Sequence, residues 1–359
     1  MAGNYEQLLA TPATDPVAES ERSAALAADG AGFPQLRSDI RDAGLLGSRR
    51  GYYLAKVVAT IAMLVACWTV FVVVGSSWWQ LPVALWLSFC FVQIGLMGHD
   101  IGHHQVSRDR RTIDVLGYLH WNLLLGASFD WWVNHHNRHH SNPNHLLADP
   151  DIVRRKAIFA VEQAGQPMSA VRRVIVRFQD KVFFPMAALE SLGLRVLSIS
   201  AIARGAVRRP WIEGTLLGTH LVCYFTAVFW VLEPGKALAF IGIHHVATGL
   251  YSGSIFAPNH KGMPVRSDGE SLDWMTRQVV TARNIRGNRI VDYVYGGLNY
   301  QIEHHLFPSM PQPNLRRARP IVMTHCRTAG LGYHETSVAA AYAEILRHLR
   351  RVSLQVRGR

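Results

Sequence analysis

The stretch HHNRHHSNPNH contains five histidines, one arginine and no carboxylate. Three of them, His136, His139 and His140, are spaced i, i+3 and i+4, so an α-helix would place their rings on one face. Neutral imidazole is a good ligand for zinc, copper, iron and nickel. The spacing therefore predicts a metal site. His135 would point to another side of the helix and His145 follows a proline, so we interpret both as polar surface residues.

A second cluster, HDIGHH, lies upstream of the first. His99 and His103 are four residues apart, which would place them one turn apart on one face of a helix. Asp100 is a candidate for orienting a ring, because carboxylates commonly accept a hydrogen bond from a metal-bound histidine. His104 is either a further ligand or a neighbour of the site.

A third cluster, QIEHH, repeats the spacing of the first cluster with one exchange. Gln301 lies three residues before His304, where the first cluster has histidine, and His305 follows directly. Glu303 is a candidate for orienting a ring. The recurrence of one spacing in two distant segments is the strongest signal in the sequence.

The pair Asn259 and His260 directly follows the last long apolar stretch of the chain. The membrane topology predicted below places this pair on the same side of the membrane as the other clusters. Eight histidines are then predicted ligands: His99, His103, His136, His139, His140, His260, His304 and His305. One zinc ion takes four ligands, so eight indicate two ions. The clusters contain no cysteine, which argues against zinc-finger, iron–sulfur and blue-copper sites, and no His-Glu-x-x-His protease motif. We prefer two irons bound almost wholly by histidine.

Four uncharged stretches of about 18 to 21 residues are long enough to cross a membrane as helices. They cover residues 57–75, 81–98, 214–232 and 237–257. Very short connections join the members of each pair, which predicts two helical hairpins. The sequence thus predicts an all-α integral membrane protein with four transmembrane helices in two hairpins. A helical cap would carry the histidine clusters.

The distribution of arginine predicts the orientation of this protein. The segment 99–210 between the hairpins is rich in arginine, whereas the two hairpin loops carry one lysine. An excess of Lys and Arg marks the cytoplasmic side, so both termini and the histidine clusters should be cytoplasmic. The formal net charge of +12 fits a domain resting on anionic lipid headgroups. Nucleic-acid binding is disfavoured because the charges flank apolar spans.

With these motifs in hand, the chain resembles membrane fatty acid desaturases, in particular the front-end, acyl-lipid and linoleoyl-CoA desaturase-like group. The matching motifs are HDIGHH, HNRHHSNPN followed by DPDI, and GGLNYQIEHHLFPSMPQPNL. The resemblance covers about residues 33 to 330. It implies an O2-dependent enzyme that uses two iron ions to insert a double bond into a long acyl chain, with Gln301 near or on the metal. The substrate would be an acyl-CoA or an acyl lipid.

One family feature has no counterpart in this sequence. Many front-end members carry a fused haem domain with a His-Pro-Gly-Gly motif, and that motif does not occur here. Electrons would then come from a separate donor, such as a ferredoxin with its reductase. The chain resembles bacterial stand-alone desaturases, which implies a multi-pass protein of the cell membrane in contact with lipids.

Three parts of the chain are predicted. Residues 1–32 form a flexible N-terminal segment, 33–330 the membrane desaturase domain, and 331–359 a C-terminal amphipathic helix with a basic tail. The cytoplasmic cap would comprise 99–210 and 258–330. Within it, residues 152–209 are interpreted as helices lying in the membrane interface, with a soluble domain as the alternative.

Two other functions remain open from the sequence. A hydroxylase or ketolase would use the same di-iron scaffold, and no motif separates it from a desaturase. A non-catalytic metal-binding or transport protein is the second alternative, although transporters usually place polar residues at the middle of the membrane. Double-bond position, chain length, head group, electron donor and oligomeric state are not encoded in any recognisable motif.

Overall fold

The computed structural model describes residues 32–153, 157–165, 167–270 and 272–357. Nearly all of the N-terminal segment predicted to be flexible lies outside these ranges. The chain forms two compact units. The membrane unit comprises Ser48–His135 and Phe184–Ile255, and the histidine unit comprises His136–Phe183, the chain from Phe256 onward, and the described residues up to Gly47.

Helices dominate the described residues. In chain order they are α1 (Phe33–Asp42), α2 (Arg50–Val74), α3 (Gln80–Gly102), α4 (Arg110–Gly117), a π-helix (Tyr118–Leu125), α5 (Phe129–Ser141), α6 (Pro150–Val153), a 3-10 helix (Val161–Gly165), α7 (Ala170–Arg177), α8 (Gln179–Ala187), α9 (Glu190–Ala203), α10 (Pro210–Val231), α11 (Pro234–His260), α12 (Trp274–Val280), α13 (Arg289–Val294), α14 (Gln301–Leu306), α15 (Gln312–Thr328) and α16 (Val338–Arg357). Two short strands, β1 (Asn284–Ile285) and β2 (Glu335–Thr336), pair in parallel.

Among the described residues, three helices are long and apolar enough to cross a membrane, namely α2, α3 and α10. A fourth candidate is the pair α8 and α9, which together would form one span bent by 65°. The predicted fourth span, 237–257, lies in α11, which has the length but is not among these candidates. His244 and His245 in the middle of α11 lower its hydropathy. The fold is thus an all-α membrane type with three or four candidate spans.

Two glycines of α3 bring that helix close to two tryptophans of the membrane unit. A Cβ atom at Gly98 would overlap the indole nitrogen of Trp121, and one at Gly102 would lie 2.6 Å from the Trp132 ring. The two indoles stack with ring centroids 4.5 Å apart. Small residues four positions apart allow such close approach in membrane proteins.

We therefore predict that Gly98→Ala destabilises the protein by about 1–3 kcal/mol, the usual cost of overpacking a core. Thermal unfolding in detergent measures this loss. Gly95→Ala is the matched control, because its Cβ would lie at an ordinary 3.5 Å from Leu125. An unchanged melting temperature for Gly98→Ala would contradict the close packing.

Buried side chains hold the junction between the π-helix and α5. The Leu123 carbonyl accepts a hydrogen bond from His220 Nδ1 at 2.9 Å. The Leu125 carbonyl accepts one from Arg195 Nη2 at 3.0 Å. These interactions satisfy carbonyls at the end of the π-helix, which would otherwise be buried without donors. Helices α9 and α10 of the membrane unit thereby fix where the π-helix ends.

The first turn of α5 is capped from the same two helices. The backbone N–H of Ser128 donates to Ser198 Oγ at 2.9 Å, and that of Asp130 donates to Glu213 Oε1 at 3.0 Å. Asn122 Nδ2 donates to the other oxygen of Glu213 at 2.9 Å. Since α5 ends in the cluster that contains His136, His139 and His140, this cap sets the start of a helix that carries candidate ligands.

The core of the histidine unit places α14 between β1 and α15. Ile302 and Leu306 of α14 are buried, and they belong to one apolar cluster with Met310 and Val322. The side chain of Asn284 in β1 accepts a hydrogen bond from the backbone N–H of Ile302 at 2.9 Å. The third histidine motif is therefore on a short helix that is anchored at its beginning.

Candidate metal centre

Six of the eight predicted ligands lie in the histidine unit, at the ends of α5 and α11 and in α14. They form two neighbouring groups. The first histidine group is His139, His260 and His305, and the second histidine group is His136, His140 and His304. The two groups touch where the rings of His140 and His305 stack, with centroids 4.2 Å apart.

The first histidine group gathers ring nitrogens from three helices. One ring nitrogen from each of its members lies within 4.8 Å of the others. The Nε2 atoms of His139 and His260 are 3.3 Å apart. All three residues are buried.

The other ring nitrogen, Nδ1, of each member is bonded to a buried acceptor. His139 donates to the carboxylate of Asp149 at 3.0 Å, and His260 donates to the carbonyl of Thr281 at 2.9 Å. His305 donates to Oε1 of Gln278 at 2.8 Å. Because Nδ1 carries the proton in these bonds, each ring in its neutral form has its lone pair on Nε2. Metal-bound histidines are usually fixed in this way.

The charges around His139 and His260 differ. Burial lowers the pKa of His139, but the charge and hydrogen bond of Asp149 together with Asp151 outweigh it, and the net shift is upward. Burial raises the pKa of Asp149, but the charge and hydrogen bond of His139 lower it by more. The net shift is downward, so the carboxylate stays ionised. Burial and the nearby charge of His139 lower the pKa of His260 to about 3. His260 is therefore neutral at physiological pH, the form that binds metals.

The second histidine group is equally close-packed. The Nε2 atom of His140 lies 3.1 Å from that of His136 and 3.2 Å from that of His304. His140 is further held through its backbone carbonyl, which accepts a hydrogen bond from Gln278 Nε2 at 3.0 Å. Gln278 therefore contacts both groups, since its oxygen is bonded to His305.

The sequence interpretation expected the three histidines of α5 to converge on one metal site. In the structure they do not all turn toward one point. His136 and His140 share the second histidine group, whereas His139 turns toward His260 and His305. The spacing i, i+3, i+4 covers a face wide enough for both directions. One helical face thus supplies two adjacent groups.

His99 and His103 lie in the membrane unit at the end of α3. Their rings are neighbours, with centroids 4.6 Å apart, and both side chains are buried. Asp100 lies 3.4 Å from His99 Nδ1 and forms an ion pair with Lys56 at 2.8 Å. The carboxylate thus has the position expected of a group that orients His99.

Gln301 and Asn259 lie beside His260. The Gln301 amide nitrogen is 2.9 Å from His260 Nε2, and its oxygen accepts a hydrogen bond from Asn259 at 2.9 Å. Gln301 therefore lies at the metal-facing nitrogen of His260. Glu303 is fully buried and accepts hydrogen bonds from Asn284 and Tyr333, both at 2.7 Å, so it anchors α14.

His104, whose role the sequence leaves open, and His135 and His145, interpreted as polar surface residues, lie outside both histidine groups. His104 is exposed and has a left-handed backbone, with φ of 59°. The His135 ring packs 5.1 Å from that of Trp131. His145 lies 3.3 Å from the exposed carboxylate of Asp268. None of the three belongs to either histidine group.

Sequence reasoning missed three residues that hold the first histidine group. Asp149 and Gln278 fix two of its rings, and Asn144 contacts the end of α11. For Asp149 a signal was present, because it begins the DPDI motif. Gln278 has no comparable signal, since nothing in its segment distinguishes it from any other helical glutamine.

The donor set fits transition-metal ions. Two nitrogens each about 2.0–2.1 Å from one ion are about 2.8–3.0 Å apart at an octahedral angle and about 3.3–3.4 Å apart at a tetrahedral angle. The Nε2 pairs of the two groups are separated by 3.1 to 3.3 Å. Two lone pairs at such a distance repel unless a proton or a metal ion lies between them. All-imidazole donors suit zinc, copper, iron or nickel.

Comparisons with known proteins agree with these motifs. The fatty acid desaturase family matches residues 76–337. Acyl-lipid (9-3)-desaturase of Physcomitrium patens is 30% identical over 339 residues, which cover 89% of this chain and 62% of that protein.

Two animal proteins match over a larger share of their own length. Delta(6)-fatty-acid desaturase fat-3 of Caenorhabditis elegans is 26% identical over 91% of this chain and 76% of its own length. Fatty acid desaturase 3 of Bos taurus is 26% identical over 89% of this chain and 72% of its own length. Since the family match covers most of the sequence, the chain belongs to the fatty acid desaturase family.

Proposed function

We propose that this protein is an O2-dependent fatty acyl desaturase that inserts a carbon–carbon double bond into a long acyl chain. The observation that carries this proposal is the pairing of two histidine groups in a member of the desaturase family. Six imidazoles from three distant segments meet there, and three pairs of their Nε2 atoms are 3.1 to 3.3 Å apart.

The proposed cofactor is a pair of iron ions. The six histidines of the two groups would hold them, and His99 and His103 would complete the ligand set, with Gln301 near or on the metal. When bound, the iron pair would use electrons from a donor to activate O2, and two hydrogens would be removed from adjacent carbons of the acyl chain. The oxidising chemistry thus belongs to the cofactor, and positioning belongs to the protein.

The residues of the chain have three tasks in this proposal. The imidazoles provide neutral nitrogen ligands, and Asp149, Gln278 and the Thr281 carbonyl hold three of the rings by their protonated nitrogens. Burial excludes bulk water from the ring nitrogens, since His260, His304 and His305 are at most 5% exposed. The long apolar helices would accommodate the acyl tail.

The substrate would be an acyl-CoA or an acyl lipid, and one similar plant protein is called an acyl-lipid desaturase. Electrons would come from a separate donor such as a ferredoxin with its reductase. We place the protein in the cell membrane as a multi-pass protein, with both termini and the metal centre on the cytoplasmic side.

Expression in a host without desaturases of its own tests this function. Fatty acid methyl esters from such cells should contain species lighter by two hydrogens, and locating the double bond gives the position of attack. Products heavier by one oxygen would instead identify a hydroxylase. Unchanged lipids in cells that supply a suitable electron donor would contradict both reactions.

A further inference from the structure

The loop of residues 142–149 follows α5, which carries His139, and is hydrogen-bonded to the end of α11, which carries His260. Asp149 is fully buried. Its Oδ2 atom accepts the His139 Nδ1–H at 3.0 Å and the backbone N–H of Asn144 at 2.8 Å. Its Oδ1 atom accepts the backbone N–H of Asp151 at 2.8 Å. One carboxylate thus shapes the loop and orients a ring.

Asn144 makes the matching connection to α11. Its side-chain Nδ2 donates to the carbonyl of His260 at 3.0 Å and to that of Pro264 at 3.1 Å. The backbone carbonyl of Asn144 accepts a hydrogen bond from the backbone N–H of Arg266 at 2.9 Å. Asn144 has φ of 54°, a left-handed conformation that asparagine tolerates better than most residues. The loop is therefore bonded to both sides of the first histidine group.

We infer that Asn144 and Asp149 form a clamp that holds the first histidine group together as one metal position, distinct from that of the second group. This inference rests on the proposed two-iron site. Holding two lone pairs about 3.3 Å apart costs free energy, and a rigid surround that meets this cost in advance raises metal affinity. The clamp supplies such a surround, because it fixes the His139 ring and the end of α11 together.

Asp149 acts as a positioning residue here and not as a metal ligand. His139, Asp149 and Asp151 do form a set whose ligand atoms lie within 4.8 Å. However, both oxygens of Asp149 already accept backbone hydrogen bonds, and the His139 nitrogen that faces it is Nδ1. The Nε2 atom, which faces His260, is the one available for the metal.

Anaerobic titration of the full-length protein in detergent with Fe(II) tests the clamp. Asp149→Asn removes the negative charge that His139 faces and leaves one oxygen for three donors, so the His139 ring is held less firmly. We expect one of two bound irons to bind 10–100-fold more weakly, the usual effect of losing such a partner, and the other to be unchanged. After dialysis against a chelator, the variant should retain one iron per chain where the wild type retains two.

Asp268→Asn is the matched control, since that carboxylate is exposed and its ion-pair partner is His145, which belongs to neither histidine group. It should retain two irons. Retention of two irons with wild-type affinity by Asp149→Asn, or equal weakening of both irons, would overturn the inference. These counts do not depend on product formation. If the variant loses one iron in this way and the wild type with two irons makes no double bonds, the proposed function is refuted and the clamp is left intact.

Asn144→Gly provides a second test if Asp149→Asn fails to fold. Glycine keeps the left-handed backbone and the N–H that Asp149 accepts, but it removes the donor to the His260 carbonyl. We expect one iron to be released to a chelator at least about tenfold faster than in the wild type. Uniform release of both irons at the wild-type rate would contradict the clamp.

Discussion

Replacing both His139 and His140 with alanine is expected to abolish iron binding and desaturation while leaving membrane insertion intact. The two residues are adjacent in sequence but belong to different histidine groups. His139 faces His260 at 3.3 Å, and His140 faces His136 at 3.1 Å. Each proposed ion would therefore lose a ligand. Because removing a residue that only orients a ligand costs 10–100-fold in affinity or activity, removing the ligands themselves should lower iron affinity by more than about a hundredfold.

Iron per chain, measured on purified protein, and double bonds in host lipids are the two readouts. Insertion is checked by recovery of the variant in the membrane fraction. The control is the pair His135→Ala and His145→Ala, which removes two neighbouring imidazoles that lie outside both groups. Desaturation retained by the first variant, or lost equally in the control, would contradict the ligand assignment.

The histidine groups show what a sequence pattern can and cannot predict. The i, i+3, i+4 spacing predicts that His136, His139 and His140 lie on one helical face, and α5 places them there. It does not predict which ring joins which ion, because that choice depends on His260 and His304, which approach from segments more than a hundred residues away. Tertiary packing, not helical periodicity, divides the face.

The membrane helices show a similar limit. Hydropathy identifies α2, α3 and α10 well, because unbroken apolar stretches of that length are typical of transmembrane helices. It identifies α8 and α9 poorly, since Pro185 and the break before α9 interrupt the pattern. It also cannot show that a polar residue at the edge of a span is buried. Glu213, just before the predicted third span, is fully buried in the membrane unit.

Glu213 leads to the largest stability effect that we expect from a single substitution. Its two carboxyl oxygens accept hydrogen bonds from the backbone N–H of Asp130 and from Asn122 Nδ2. Leucine at position 213 would leave two buried donors without acceptors, at about 1–3 kcal/mol each. We predict that Glu213→Leu lowers the free energy of unfolding by about 2–6 kcal/mol.

Thermal unfolding in detergent should register this loss as a melting temperature lower by about 4 to 24 °C, since 1 kcal/mol corresponds to about 2–4 °C in a domain of this size. Faster hydrogen exchange at the Asp130 amide would locate the damage at the start of α5.

Glu213→Gln should lose about half as much free energy of unfolding as Glu213→Leu, because an amide offers one oxygen to two donors. Glu233→Leu is the control, since that glutamate is exposed and pairs with Lys236 at the surface. Equal melting temperatures for the Leu and Gln variants of Glu213 would mean that these hydrogen bonds do not hold the helix, and that the start of α5 is fixed by apolar packing instead.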